Sequence, residues 1–349
     1  MNTQILFTQN SAMSWALPGW LAWLDSDHVL EDRNDDTDKK WVWHRLIPFA
    51  FLHLGCLAVV FTGWSWTAVG VAVLLYWVRM FAITGFYHRY FSHRSFKTTR
   101  LAQFFFAILG LSAIQRGPLW WAAHHREHHR VSDQAGDIHS PVQEGFWWSH
   151  MGWITRPANM VTHYSRIKDL TKFPELVFLN RFDWLVPVLY ALGLFVLGAV
   201  LETFQPGLGT NGLQLLVWCG FISTVVLFHG TCTINSLCHV FGAQRYDTGD
   251  DSRNNLWLAL ITLGEGWHNN HHQYPGAARQ GFYWWEIDMT YYGLKLLEAV
   301  GIIWDLHPVP ASVYSQTFTS ANTFTTSNLN PSIQVQPRLR TSKLMEPCR

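Results

Sequence analysis

The stretch EGWHNNHHQYP, residues 265–275, sets three imidazoles within five positions, with a carboxylate just ahead of them. His268, His271 and His272 stand at i, i+3 and i+4, so on a helix all three project from one face. Within HHREHH, residues 124–129, His125, His128 and His129 repeat that spacing. NSLCH adds Asn235 and His239, at i and i+4, and HRYFSH adds His88 and His93. An ideal α-helix splays residues five apart by about 140°. His88 and His93 therefore flank a helix end or serve two different ions. Imidazole is a ligand for iron, zinc, copper or nickel. Nine such rings are too many for one ion and suit two, with room left for water or oxygen. A histidine standing alone is an ordinary structural or surface residue, which accounts for His28, His44, His53 and His307. His229 reads as a polar residue packing between helices.

These clusters need elements that bring them together, and the chain between them is apolar. Of 349 residues, 49% are hydrophobic and only 14% charged, against about a quarter charged in soluble domains. A mean hydropathy of +0.03 is nevertheless too low for a chain made wholly of membrane spans. Four runs approach the ~20 apolar residues that cross a bilayer: 46–63, 66–86, 184–204 and 213–234. Short linkers join them in pairs, giving two hairpins. The runs 104–114 and 256–264 are too short to cross and read as buried or interfacial helices. Residues 87–183 carry twelve Lys and Arg, while the linkers 64–65 and 205–212 carry none. By the positive-inside rule 87–183, everything after the fourth span and both termini are cytoplasmic. All nine histidines fall in those two segments.

The flanks differ in kind. Residues 1–45 read as an interfacial arm with an acidic run and Trp15, Trp20 and Trp23. Residues 311–349, rich in Ser, Thr, Asn and Pro, read as a disordered tail. A net charge of +1 and a pI near 7.8 give no signature of polyanion binding, so nucleic acid is not an expected partner. The five cysteines form no CxxC pair. With no CxxCH, no ferredoxin cysteine cluster and no GxGxxG, electrons for redox chemistry must come from a separate protein.

Taken in order, GFYHRYFSH, WWAAHHREHHRVSD, SPVQEGFWWSHMGW, NSLCHVFG and EGWHNNHHQYP resemble the membrane fatty acyl desaturases of the stearoyl-CoA and bacterial delta-9 type, over residues 46–310. The resemblance implies an all-α integral membrane protein, with four transmembrane helices in two hairpins under a cytosolic helical cap that holds a di-iron site. It implies two iron ions on His88, His93, His125, His128, His129, His239, His268, His271 and His272, with Asn235 reaching one iron through water. His124 has no ligand counterpart. Glu127, Glu265, Asp133, Asp137, Asp247, Asp250 and Asp251 are the acids available to orient ligand rings. Gln115, Trp121 and Thr231 match residues around the bend of an acyl tunnel, and Tyr76 and Met80 match its far end. Met80 stands where stearoyl-preferring animal relatives have a small residue, which implies a shorter tunnel and a sixteen-carbon preference.

The activity so implied is O2-dependent insertion of a cis double bond, at delta-9, into a saturated chain of sixteen to eighteen carbons carried by CoA, a lipid or a carrier protein. The electron donor would be a ferredoxin or a haem-b cytochrome with its reductase. HNNHH is a bacterial-looking form and implies a bacterial-type inner membrane among membrane lipids. Breaking an unactivated methylene C–H bond is beyond any side chain, so the oxidant must derive from O2 at a metal while the protein supplies position. The competing activity is a hydroxylase or acetylenase on the same scaffold. A membrane metal transporter is a distant alternative, because transport calls for ligands along a path within the spans, where only His53 and His229 fall.

Overall fold

The computed structural model describes residues 24–27 and 43–315. Helix α1, Trp43–Gly55, passes through a 3-10 turn, Cys56–Ala58, into Val59–Thr62. Gly63 then takes a φ of +66°, the left-handed region glycine enters freely, and the chain reverses. Ser65 caps α2, Trp66–Phe81, by accepting from the Ala68 N–H, and α2 runs unbroken into a π-helix, Ala82–Ser92. Thr99 caps α3, Arg100–Leu111. Helix α4, Pro118–Val131, opens on a proline, whose missing N–H costs nothing in a first turn. After the short α5, Phe146–His150, come α6, Leu185–Phe204, and α7, Gly212–Ser236, which contains a π-helical stretch, Leu216–Ile222. Helices α8, Leu256–Ile261, α9, His268–Gln273, and α10, Met289–Ala299, complete the frame. Short helical turns fill the connections. The described residues also form one small antiparallel ribbon, Lys97 against Trp304 and Thr98 against Ile303, a minor addition to a fold that is otherwise helical, as expected.

Among the described residues, three helices are long and apolar enough to cross a membrane by length and composition: Trp66–Ser92, Leu185–Phe204 and Gly212–Ser236. The first expected span is present as the apolar helix Ile47–Thr62, which falls short of that length. Helix α6 leaves Val188, Leu189, Leu192, Phe195, Val196 and Val200 exposed, an apolar surface that water does not suit. It packs tightly on the start of α7, because Gly198 has no Cβ to strike the Asn211 carbonyl oxygen 2.4 Å away. The largest core lies beyond these helices. It gathers around the π-helical end of α2, where Phe86 stacks on Phe106 at 3.7 Å, and includes Leu111, Leu119, Ala123, Ile167 and Leu176.

Both ends differ from the sequence reading. Residues 24–27 are anchored: Asp25 pairs with Arg181, Tyr164 donates to Asp27, and the Trp184 indole donates to Leu24 O at 2.8 Å. The acidic run and Trp15, Trp20 and Trp23 lie outside the described residues. The first residues of the expected tail are ordered: Ala311–Tyr314 is helical, Val313 is buried and the Tyr314 hydroxyl donates to Phe282 O at 3.0 Å. Residues beyond 315 lie outside the described part.

Candidate metal centre

Four elements deliver the histidines. Helix α4 carries His125, His128 and His129 on one face, and α9 carries His268, His271 and His272. Asn235 lies in the last turn of α7 and His239 just beyond it. His88 lies in the π-helix and His93 caps it. A π-helix bonds i to i+5, and the His93 N–H donates to His88 O at 3.2 Å. The two rings consequently lie 4.9 Å apart. The 140° splay of an α-helix does not apply, and the alternative of two separate ions for this pair is corrected.

The rings fall into two groups. His88, His93, His125, His129 and His271 bring ligand atoms within 4.8 Å of one another, and His128, His239, His268 and His272 do the same. Each adjacent pair divides: His128 and His129 go to different groups, as do His271 and His272. In the five-ring group the Nε2 atoms form a chain of contacts, His88 to His271 at 3.0 Å, His271 to His129 at 2.9 Å, His129 to His125 at 3.0 Å and His125 to His93 at 2.8 Å. An imidazole nitrogen has one proton or one lone pair in the ring plane, so it cannot bond well to two neighbours at once. His271, His129 and His125 each meet two. Converging lone pairs explain the crowding instead: nitrogens at metal-ligand distance from one ion and at right angles to each other lie about 3.0 Å apart. In the four-ring group His239 and His268 approach at 3.0 Å through Nε2, and the buried His272 Nε2 has no protein partner. The donor sets fit two metal ions.

In four of the nine rings the opposite nitrogen is held by a carboxylate. His128 Nδ1 meets Asp137 at 3.0 Å, His239 Nδ1 meets Asp133 at 2.7 Å and His272 Nδ1 meets Asp250 at 2.5 Å. His88 Nδ1 pairs with Glu265, which Arg89 steadies from its other oxygen at 3.0 Å. A proton held at Nδ1 fixes the tautomer and turns the Nε2 lone pair toward the group centre. Burial, then neighbouring histidines, push His125, His129, His268 and His271 well below the ordinary imidazole value, so these rings are neutral. Burial lowers His272 to about 4 against the upward pull of Asp250. Burial would raise the Asp137 and Asp250 carboxyls, but their histidine partners outweigh it and hold both well below the usual range. In a further grouping, His128, Asp137 and His139, Asp137 bonds the His128 ring with one oxygen and accepts from the His139 backbone N–H at 3.2 Å with the other, while the His139 ring nitrogen Nδ1 stands 3.7 Å off.

A cavity opens on both groups. His88, His125, His128, His268, Asn235 and Glu265 form one part of its wall, and Met80, Ile83, Thr84, Trp121, Thr231, Ile234 and Thr262 the rest. Of the expected tunnel residues, Met80, Trp121 and Thr231 line it. Gln115 stands behind the wall and donates to Thr231 Oγ1 at 3.0 Å. Tyr76 does not line the cavity; its hydroxyl donates to Ile261 O at 2.6 Å.

The family model described as fatty acid desaturase matches residues 64–296, two-thirds of the chain. The chain belongs to the fatty acid desaturase family. Similar proteins include an acyl-CoA 5-desaturase of Anemone leveillei, 38% identical over 82% of this chain and 88% of that one. Delta-9 acyl-lipid desaturase 1 of Arabidopsis thaliana is 40% identical over 73% and 80%. The sn-1 stearoyl-lipid 9-desaturase of Anabaena variabilis is 38% identical over 74% and 92%. The desaturase is thus an oxidoreductase acting on acyl chains. Of the acids counted as available, this desaturase turns Asp133, Asp137, Asp250 and Glu265 to the rings. Glu127 faces Arg130 and Arg166 instead, and the Asp251 N–H donates to Asp133. His124 bonds Val161 O at 3.1 Å, away from both groups. No spacing in the chain pointed to Gln280, whose amide lies 3.2 Å from His88 Nδ1, or to His139, whose ring lies 4.4 Å from that of His128.

Proposed function

We propose that the chain inserts a cis double bond at delta-9 into a saturated acyl chain of sixteen to eighteen carbons, using O2, two iron ions and electrons from a separate ferredoxin or haem-b cytochrome. The observation that carries this reading is the meeting of two imidazole groups on one largely apolar cavity. His88, His93, His125, His129 and His271 would hold one iron. His128, His239, His268 and His272 would hold the other, with Asn235 contributing through water. Bound iron supplies the oxidising power, drawn from O2, that removes hydrogen from two neighbouring methylenes.

The chain's own residues supply the rest. Asp133, Asp137, Asp250 and Glu265 keep a proton at Nδ1 and so keep the Nε2 lone pairs aimed. Trp121, Ile83, Ile234 and the methyl groups of Thr84 and Thr231 exclude water from the acyl chain. The Gln115–Thr231 bond holds the wall where a bend would present two carbons together, and small placement errors there are costly in rate. Two of the relatives described above are named 9-desaturases and one a 5-desaturase, which supports delta-9, and the acyl group would be carried by CoA, a lipid or a carrier protein. Helix α1 would make the fourth span, placing both termini and the histidine groups on the cytoplasmic face of a bacterial-type inner membrane.

Expression in a host unable to make unsaturated fatty acids tests the whole reading. Growth should be restored, and the product should carry a cis double bond between the ninth and tenth carbons in one lipid pool. An alcohol or an alkyne at that position would establish the hydroxylase or acetylenase instead. Exchangeable zinc in place of tightly held iron would argue for metal handling.

A further inference from the structure

The cavity wall includes Met80, and Met80 lies where it does because a side chain is missing opposite. Gly230 stands on α7, one residue before Thr231, which lines the same cavity. A Cβ on Gly230 would lie 3.1 Å from Met80 Cε and 3.2 Å from the Tyr76 hydroxyl oxygen. Gly230 is buried within the helix and its φ is not in the left-handed region. Its backbone therefore gives no reason for glycine, which is a poor helix former. The reason lies in the two tips packed against it.

Those tips are not equally free. The Tyr76 hydroxyl is bonded to Ile261 O at 2.6 Å, which ties α2 to the residue before Thr262 in the cavity wall. Met80 is fully buried, unbranched and without a polar tether. The helices cannot part to relieve a contact here. Arg79, next to Met80, donates to Thr224 Oγ1 at 2.6 Å and to Ser223 Oγ at 2.7 Å, clamping α2 to α7. A methyl group at position 230 must therefore displace the methionine tip, and the open space before it is the cavity. We propose that Gly230 sets the depth of the cavity, and with it the acyl length accepted, by letting Met80 lie back against α7. This rests on the reading that the cavity holds the acyl chain.

Gly230→Ala, Met80→Ala and the double variant, expressed where palmitoyl and stearoyl chains are both present, test it through the ratio of sixteen- to eighteen-carbon products. Gly230→Ala should disfavour the longer product by about tenfold, the scale of one methylene in an apolar pocket. Met80→Ala should favour it. The double variant should match Met80→Ala, because the methionine tip is gone and the other neighbour of position 230, the Tyr76 hydroxyl, is bonded to Ile261 O and does not line the cavity. An unchanged ratio in Gly230→Ala beside a changed one in Met80→Ala overturns the role of Gly230 alone. An unchanged ratio in both overturns the acyl reading of the cavity. Should Gly230→Ala fail to accumulate, the proposal requires the double variant to accumulate and behave as Met80→Ala, and a double variant that also fails overturns it.

Discussion

His272 takes its direction from one oxygen of Asp250, and that contact is part of an asymmetry. Three rings of the four-ring group have a carboxylate at Nδ1, against His88 alone in the five-ring group. Carboxylates raise the basicity of the rings they hold, so the group with fewer nitrogens has the stronger ones. Replacing Asp250 with Asn should lower metal affinity at one site by about 10–100-fold, read by chelator competition on the loaded protein. Glu127→Gln, whose carboxylate faces arginines, should leave it unchanged. Asp169 offers a pH test away from the rings. Burial would raise its carboxyl, but bonds from Arg126 at 2.7 and 3.1 Å, with Arg94 nearby, outweigh that and hold it below 3.8. A carboxyl lowered in the folded state stabilises that state above its unfolded value, and the contribution fades as pH falls through the folded one. Asp169→Asn should therefore unfold at lower temperature near neutrality, with the gap starting to close only near about pH 4, the unfolded value, and vanishing below the lower folded one. The grouping of His125, His128 and His129, and of His268, His271 and His272, was legible because i, i+3, i+4 spacing shares one face of any α-helix. Which acid serves which ring was not, because the folding of loop 132–140 decides it.

Helices carry their own lessons. The expected span 66–86 runs on to Ser92 because its last eleven residues are π-helical, and hydrophobic periodicity does not distinguish i+4 from i+5 bonding. That unread feature is what unites His88 with His93. His53 and His229, read as a solitary residue and a packing residue, join His150 in one network. The Phe49 carbonyl only accepts, so His53 Nδ1 must be its donor, at 2.8 Å. His229 Nε2 lies 3.0 Å from His53 Nε2, His150 Nε2 lies 2.9 Å from His229 Nδ1, and His150 Nδ1 lies 2.9 Å from the Ser236 hydroxyl, which also meets Cys232 O at 2.9 Å. The network joins α1, α5 and α7. His229→Ala leaves a donor and an acceptor without partners and should cost about 1–3 kcal/mol, seen as a lower unfolding temperature in detergent. The sequence could not show this, since the three residues lie far apart along the chain.

At the scale of the whole molecule, exposed apolar surface covers the long helices, and exposed tryptophans mark positions along it, Trp64 and Trp66 at one turn and Trp147, Trp257 and Trp284 elsewhere. On the proposed topology the turn bearing Gly207 faces away from the cytoplasm and Gln134 faces into it. In a background without native cysteines, Gly207→Cys should react with an impermeant thiol reagent added outside intact cells, and Gln134→Cys only after the membrane is opened. The long apolar helices were legible from run length, because the hydrocarbon thickness dictates it. The anchoring of residues 24–27 and the helix at 311–314 were not, since they depend on partners such as Arg181 and Phe282. The division of His128 from His129, and of His271 from His272, has a last consequence. Neighbours joined by one peptide unit cannot be positioned independently, so the first ion to enter stiffens both backbones and prepays the ordering cost of the second. Titration of the metal-free protein should accordingly rise more steeply than independent sites allow, with singly loaded molecules scarce at half saturation.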